Sequence, residues 1–132
     1  MRDAKTSAAA VDQAAIDRVL AGLASDRAVW VVLNKPGSGR RVRFKRPEEA
    51  DLPSFVGGAK IEHVCKYVDA WEGFTEATFL GKSVGASDPL PFTSELWTAW
   101  ARDNMEEAGQ VATAMAGAIS ARLEARSKAA KN

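Results

Sequence analysis

The chain of 132 residues lacks several features that would place a protein in a class at once. It contains a single cysteine, Cys65, so an internal disulfide is impossible and a disulfide-stapled secreted scaffold is excluded. No apolar run reaches the roughly 18 residues that a transmembrane helix needs. The first residues, MRDAKTSAAAVDQ, include no apolar stretch of the signal-peptide kind. We therefore expect a soluble intracellular protein without a membrane span.

The chain also lacks a large excess of positive or negative charge, because 18 basic and 17 acidic residues leave a net charge of +1. This balance predicts no long-range attraction to nucleic acid or to an anionic membrane. The hydrophobic fraction of 46% and the charged fraction of 27% are those of a globular protein, and the length corresponds to about one domain. We predict a single domain over residues 1–132, with a flexible N-terminus (1–6) and a flexible C-terminal tail (about 125–132).

Hydrophobic spacing predicts a helix near each end of the chain. The first helix has Ser7 as its N-cap and ends near Asp26. Its apolar residues follow the i, i+3, i+4, i+7 spacing of one helical face: Ile16, Val19, Leu20 and Leu23. The second helix runs from about Met105 to Lys128. Its stripe of mostly small residues consists of Met105, Ala108, Ala112, Met115, Ile119 and Arg122.

Two strand-like runs, AVWVVL (28–33) and RVRFKR (41–46), flank the turn sequence NKPGSG and predict a β-hairpin over about residues 28–46. In the second run Val42 and Phe44 face one side and the basic residues face the other. Because a lone hairpin is marginal in water, its apolar side is expected to pack on a helix. The predicted fold class is α+β, mainly α, with several helices packed around one hairpin.

The middle of the chain is expected to contain shorter elements. Pro47, followed by two glutamates, is typical of the first turn of a short helix, and the spacing of residues 61–68 predicts another helix. The segment 69–91 is predicted to be an apolar loop that packs on the core. Thr93 is predicted to cap a further helix, with Phe92 and Trp97 at the hydrophobic-staple positions.

Residues that carry chemistry are scarce. His63 is the single histidine and is interpreted as a structural or surface residue, while Cys65 lies on an apolar stripe and resembles a small buried hydrophobe. The sequence GKS at 81–83 is not a phosphate loop, because Glu76 stands where the motif needs glycine. GSG at 37–39 lies in the hairpin turn rather than before a helix. We predict no enzyme activity, no cofactor and no metal site.

The run RRVRFKR (40–46) has five basic residues in seven and leaves two interpretations open. Such a strip can bind phosphates of a nucleic acid. The same residues are expected on an edge strand that charge protects against aggregation. The near-zero net charge favours the second interpretation.

Small residues also recur at every fourth position of the last helix, at Gly109, Thr113, Gly117 and Ala121. Small residues on a helix let another backbone come close, although two interior glycines cost the helix about 1 kcal/mol each relative to alanine. A helix packed tightly in its own core and a helix that contacts another subunit both fit this spacing.

The segment YVDAWEGFTEATFLGKSVGASDPLPFTSELWTAW (67–100) resembles part of the small tail assembly chaperones of long-tailed bacteriophages. The shared pattern consists of Trp71, Gly73, Phe74, Pro89, Pro91, Phe92, Thr93, Glu95 and either Leu96 or Trp97. VRFKRPEEADL (42–52) is similar to a second motif of these proteins, with Glu48 where a hydroxyl residue is more usual. Together the two motifs cover 45 of the 132 residues, about a third of the chain. The hairpin and the N-terminal helix have no counterpart in the pattern.

The resemblance implies a non-enzymatic protein that works in the host cytoplasm. Chaperones of this kind coat the tape measure protein, a long apolar helical rod, and recruit tail-tube proteins during assembly. A homo-oligomer is therefore expected, since exposed apolar patches normally mark partner sites. The partner-binding candidates are the aromatic residues Trp71, Phe74, Phe92 and Trp97 and the small residues Gly109, Thr113, Gly117 and Ala121.

Two other functions remain open from the sequence. One is a phage structural protein that stays in the virion, such as a head–tail connector or a tail component. The other is a nucleic-acid-binding module that uses the basic strand 40–46.

The last three residues, Ala130-Lys131-Asn132, allow the resemblance to be tested in the gene sequence. In phage chaperones of this type a longer product is made when ribosomes slip back one base near the end of the short reading frame. Ala130-Lys131-Asn132 can be encoded GCA-AAA-AAC, which contains the slippery heptamer A-AAA-AAC in the correct frame. This codon choice, together with an overlapping downstream frame in the gene sequence, would support the chaperone assignment, although the residues alone favour a simple helix end. Codons such as GCG-AAG-AAT would instead leave an alanine- and lysine-rich helix that frays at its end.

Overall fold

The computed structural model of the protein describes residues 2–33 and 39–131. The elements are, in chain order, α1 (Arg2–Arg27), β1 (Ala28–Val32), β2 (Arg41–Lys45), a 3₁₀ helix (Glu49–Phe55), α2 (Ile61–Tyr67), β3 (Val68–Glu72), α3 (Glu76–Leu80), α4 (Ser94–Asp103) and α5 (Met105–Lys131). The structure is 63% helical and has a three-stranded antiparallel sheet, so the prediction of an α+β, mainly α fold is confirmed.

The sheet has the strand order β1-β2-β3, with β2 in the centre. The predicted hairpin is present, since β1 and β2 pair with Val29 opposite Phe44 and Val31 opposite Val42. Residues 34–38 of its turn lie outside the described residues. The third strand was not predicted: β3 falls in residues expected to form a helix end and a loop. Val68 fits the helical spacing of residues 61–68 but is the first residue of β3, and no glycine or proline separates α2 from β3.

The core lies between one face of the sheet and helices α2, α4 and α5. Val42 and Phe44 point into it as the alternation predicts, and both are fully buried. Val64 of α2, Trp97 of α4 and Val111 of α5 pack in the same core. The indole Nε1 of Trp97 donates a hydrogen bond to the carbonyl oxygen of Val64 at 3.0 Å, so its one polar group is satisfied inside the protein.

Several predicted boundaries differ from the structure. The helix α1 begins at Arg2, so the placement of its N-cap at Ser7 is wrong. Pro47 precedes the 3₁₀ helix and is not its first residue, because Glu48 is the N-cap. The helix α5 continues to Lys131, and the described part of the predicted C-terminal tail is therefore helical. The hydrophobic spacing of a helix continues through its ends when no glycine or proline stops it, so the sequence does not define the end residues well.

The start of α4 agrees with the sequence. Thr93 has an extended backbone and its side-chain oxygen accepts a hydrogen bond from the backbone N–H of Leu96 at 3.1 Å. This bond satisfies one of the N–H groups that every helix leaves free in its first turn. The prediction of Thr93 as an N-cap is confirmed.

The cap at Thr93 is expected to stabilise α4. Replacing Thr93 with alanine removes the acceptor, and we expect the free energy of unfolding to fall by about 1 kcal/mol in urea denaturation. Thr93→Ser keeps the hydroxyl and should restore most of that loss. Equal losses for the two variants would show that the methyl group of Thr93, and not the cap, stabilises α4.

Candidate partner-binding surfaces

The aromatic residues predicted to bind a partner form a cluster around Phe74. Trp71 stacks on Phe74 with ring centroids 4.3 Å apart, and Trp100 meets Phe74 edge-on at 5.5 Å. Trp97 approaches the same ring edge-on at 6.4 Å. Phe92 packs edge-on against Trp71 at 5.3 Å. Rings in these stacked and edge-on arrangements stabilise each other beyond the burial of their area.

Burial corrects the interpretation of this cluster. Trp71, Phe74 and Trp97 are buried core residues, and Phe92 is half-buried at the edge of the cluster. A partner cannot contact the three buried rings in this conformation. Their number, which suggested an exposed aromatic surface, is explained by the need to fill the core between β3 and α4.

The segment DPLPFTSELW (88–97) holds this cluster in place. The backbone N–H of Leu90 donates to the carbonyl of Phe74 at 2.8 Å, and Nε1 of Trp71 donates to the carbonyl of Leu90 at 2.7 Å. A β-bridge joins Thr75 to Pro89. The two prolines keep this stretch extended, so it lies along the segment after β3 before Thr93 starts α4.

The glycine of the same pattern has a steric role. Gly73 has a φ of +84°, and a Cβ atom built there would lie 1.8 Å from the carbonyl oxygen of Gly39. No other residue fits, because the clash is with backbone that belongs to the end of the hairpin turn. The end of β3 and the extended segment before α4 therefore form one structural unit.

The small residues of α5 lie in a different environment. Gly109, Thr113, Gly117 and Ala121 are all exposed. The buried face of α5 is formed by Glu107, Ala108, Val111 and Met115, on the opposite side of the helix. A Cβ atom at Gly109 or Gly117 would meet nothing within 4 Å. Of the two interpretations left open by the spacing, tight packing inside this chain's own core is wrong.

A buried ion pair that the sequence did not predict fixes the start of α5. Nη2 of Arg40 lies 3.1 Å from Oε1 of Glu107, and the guanidinium also lies over the ring of Trp100 at 5.7 Å. Nε1 of Trp100 donates to the other carboxylate oxygen of Glu107 at 3.3 Å. Glutamate is rarely buried without such partners. The position of Glu107 on the buried arc of the helix is the only signal that could have identified it.

The basic strip is neutralised by carboxylates in the folded protein. Nε of Arg41 lies 2.7 Å from Glu72, and Nε of Arg43 lies 2.8 Å from Asp69, both on β3. The guanidinium of Arg41 also covers the ring of Trp30 at 4.2 Å. The hydrogen bond from Arg41 lowers the pKa of Glu72. Because carboxylates occupy these arginines, a phosphate backbone is a poorer fit than the sequence alone suggested.

The position of this strip in the sheet corrects its other interpretation. The cations lie on β2, which is the central strand, so they do not protect a sheet edge. They instead form cross-strand ion pairs on the outer face of the sheet.

His63 is a structural residue, as predicted. It is buried, and its ring stacks on Phe55 with a centroid distance of 3.7 Å. Its Nδ1 accepts the backbone N–H of Lys60 at 2.9 Å, so the neutral ring carries its proton on Nε2, 3.2 Å from Oγ of Ser54. Nε2 therefore donates to Ser54, and the pair has the wrong tautomer for a base that activates a serine nucleophile. Cys65 is half-buried and packs against the core.

Tyr67 lies beside this histidine and is the only tyrosine of the chain. Burial raises the pKa of its phenol, and hydrogen bonding to Asp51 raises that pKa further. Both effects favour the neutral phenol, because burial penalises the charged form and the nearby carboxylate repels it.

The native protein is expected to hold the Tyr67 proton to a higher pH than the unfolded chain. Phenolate absorbance should give a native midpoint above 10.0, the ordinary pKa, and a midpoint near that value in urea. The resulting stability is fully present below the unfolded pKa and is lost as the pH rises through the folded pKa. Asp51→Asn should lower the native midpoint partly, since burial remains. A native midpoint at or below the unfolded one would contradict this environment.

Within residues 2–33 and 39–131, no three histidine, cysteine or acidic side chains are grouped so that they could hold a metal ion. None of the helices in the same residues combines the length and the apolar character that crossing a membrane requires. No protein-family model matches the chain, and comparisons with curated proteins and with solved structures give no significant similarity.

Proposed function

We propose that this protein is a tail assembly chaperone of a long-tailed phage, which binds the tape measure protein and recruits tail-tube subunits in the host cytoplasm without enzymatic activity. The observation that carries the proposal is the exposed face of α5 formed by Gly109, Thr113, Gly117 and Ala121. We call it the small-residue face. It lies outside the core and leaves room for another backbone.

This face suits a helical partner. Side chains at every fourth position form a row along a helix, and small residues in that row let a second helix approach closely. The packing of α5 on the core ends near Ala118, whereas residues 120–131 are all exposed. They extend the helix by roughly 18 Å at the usual rise per residue. A long partner helix, such as the rod of a tape measure protein, could follow this face over several turns.

The remaining features support a binding role over catalysis. His63 and Ser54 have a tautomer unsuited to nucleophilic chemistry, and the arginines of β2 are paired with carboxylates. The buried aromatic cluster gives the molecule a rigid body that presents the α5 helix. The nucleic-acid alternative is weakened by the same ion pairs.

The composition of the virion separates a chaperone from a structural protein. We expect the protein in infected-cell lysates during tail assembly and its absence from purified virions, measured by quantitative mass spectrometry. An assembly factor leaves the finished particle, whereas a connector or tail component stays in it. Detection in virions at a fixed copy number would favour the structural alternative and overturn the chaperone proposal.

Substitution at Gly117 tests the small-residue face directly. Gly117→Leu should weaken co-purification with the tape measure protein at least about ten-fold, because a large side chain keeps the partner backbone away. Stability should not fall, since a Cβ atom at Gly117 meets nothing within 4 Å and leucine favours a helix by roughly 1 kcal/mol over glycine.

Gly117→Ala is the matched control for that experiment. It gives a similar gain in helix propensity but adds only a methyl group, so binding should be largely kept. Equal binding by the leucine variant would show that the small-residue face does not contact the tape measure protein.

A further inference from the structure

The N-terminal helix leaves an apolar face uncovered. Ile16, Val19, Leu20 and Leu23, which we call the α1 stripe, are between 44% and 60% exposed. A shallow depression runs along this face and is lined by Asp12, Ala15, Ile16, Val19 and Leu20. Four large aliphatic side chains on one exposed helical face are more than a surface needs, and such patches normally mark a contact with another molecule.

Charges of opposite sign stand at the two ends of the α1 stripe. Asp12 precedes Ile16 by four residues and Arg27 follows Leu23 by four, so both residues occupy positions on the same helical face as the stripe. Asp12 is exposed, and the side chain of Arg27 is 32% exposed while it contacts Glu48 at 3.1 Å. The face therefore has an acid at one end and a base at the other, about 22 Å apart along the helix.

This order makes the face complementary to a second copy of itself in the antiparallel direction. A two-fold axis that passes between Val19 and Leu20 places Val19 opposite Leu20 of the second copy and Ile16 opposite Leu23. The same axis places Asp12 opposite Arg27 at both ends. A parallel arrangement would place Asp12 beside Asp12 and Arg27 beside Arg27 of the second copy, and like charges repel each other.

We propose that the α1 stripe is a self-association surface at which two copies of the chain pair their α1 helices antiparallel. The interface is isologous, since the same patch serves both subunits. It is distinct from the small-residue face of α5, so the inference stands or falls independently of the proposed function.

Removal of the apolar contacts is the first test, with the full chain in solution. Multi-angle light scattering should give the mass of a dimer, or of an even-numbered assembly, for the wild type. The double variant Val19→Asp/Leu20→Asp should have half that mass at the same concentration, with unchanged circular dichroism. Val84→Asp is the control, because Val84 is 73% exposed but lies outside the stripe. A wild type that is monomeric at every concentration, or a double variant of unchanged mass, would overturn the proposal.

Cysteine cross-linking determines the direction of the pairing. In a Cys65→Ala background that retains the wild-type circular dichroism, Ile16→Cys and Leu23→Cys are made separately. A mixture of the two proteins should form a disulfide-linked dimer under mild oxidation, whereas each protein alone should not, since antiparallel pairing brings residue 16 next to residue 23. Efficient cross-linking of each variant with itself would show a parallel arrangement and would contradict the proposed one.

The end charges give a third readout. Asp12→Lys should raise the dimer dissociation constant about five-fold at low salt, because a lysine would face Arg27 of the second copy at both ends. Asp17→Lys changes the net charge equally but lies off the stripe, and it should have little effect. The same dissociation constant for the two variants would exclude the Asp12–Arg27 pairing.

Discussion

The packing of rings around Phe74 is the interaction on which the rest of the structure depends. Trp71 brings β3 to this ring and Trp97 brings α4, so one side chain joins the sheet to the helices. The hydrogen bonds of Leu90 with Phe74 and Trp71 tie the extended segment before α4 to the same point. Without this cluster the sheet would lose part of the helical layer that covers its apolar face.

Charged side chains next to this core form ion pairs and hydrogen bonds within the chain. The arginines of β2 pair with carboxylates of β3, and Glu107 is held by Arg40 and Trp100. The two surfaces proposed for binding, the small-residue face of α5 and the α1 stripe, both lie on helices and consist of small or apolar residues. This distribution fits recognition by helix packing, where shape decides more than long-range electrostatics.

Local pattern predicted much of this fold and little of the site. Alternation placed Val42 and Phe44 inside correctly, and the cap at Thr93 followed from residue type. The strand β3 was missed because Val68 fits the spacing of the preceding helix and residues 69–72 were assigned to a loop. Periodicity also shows which residues share a helical face but not whether that face is covered. For this reason the aromatic residues, of which three are buried, and the small residues of α5, which are exposed, were grouped together from the sequence.

The close approach of Gly73 to Gly39 limits how the chain can change over evolutionary time. Every replacement at codon 73 adds an atom where a backbone oxygen already stands, 1.8 Å from the required position. Relief would require the end of the hairpin turn and the end of β3 to move apart together, which a single substitution cannot bring about. Position 73 is thus closed to mutation, whereas Gly109 and Gly117 of α5 face no such steric limit, because a Cβ atom at either position meets nothing within 4 Å.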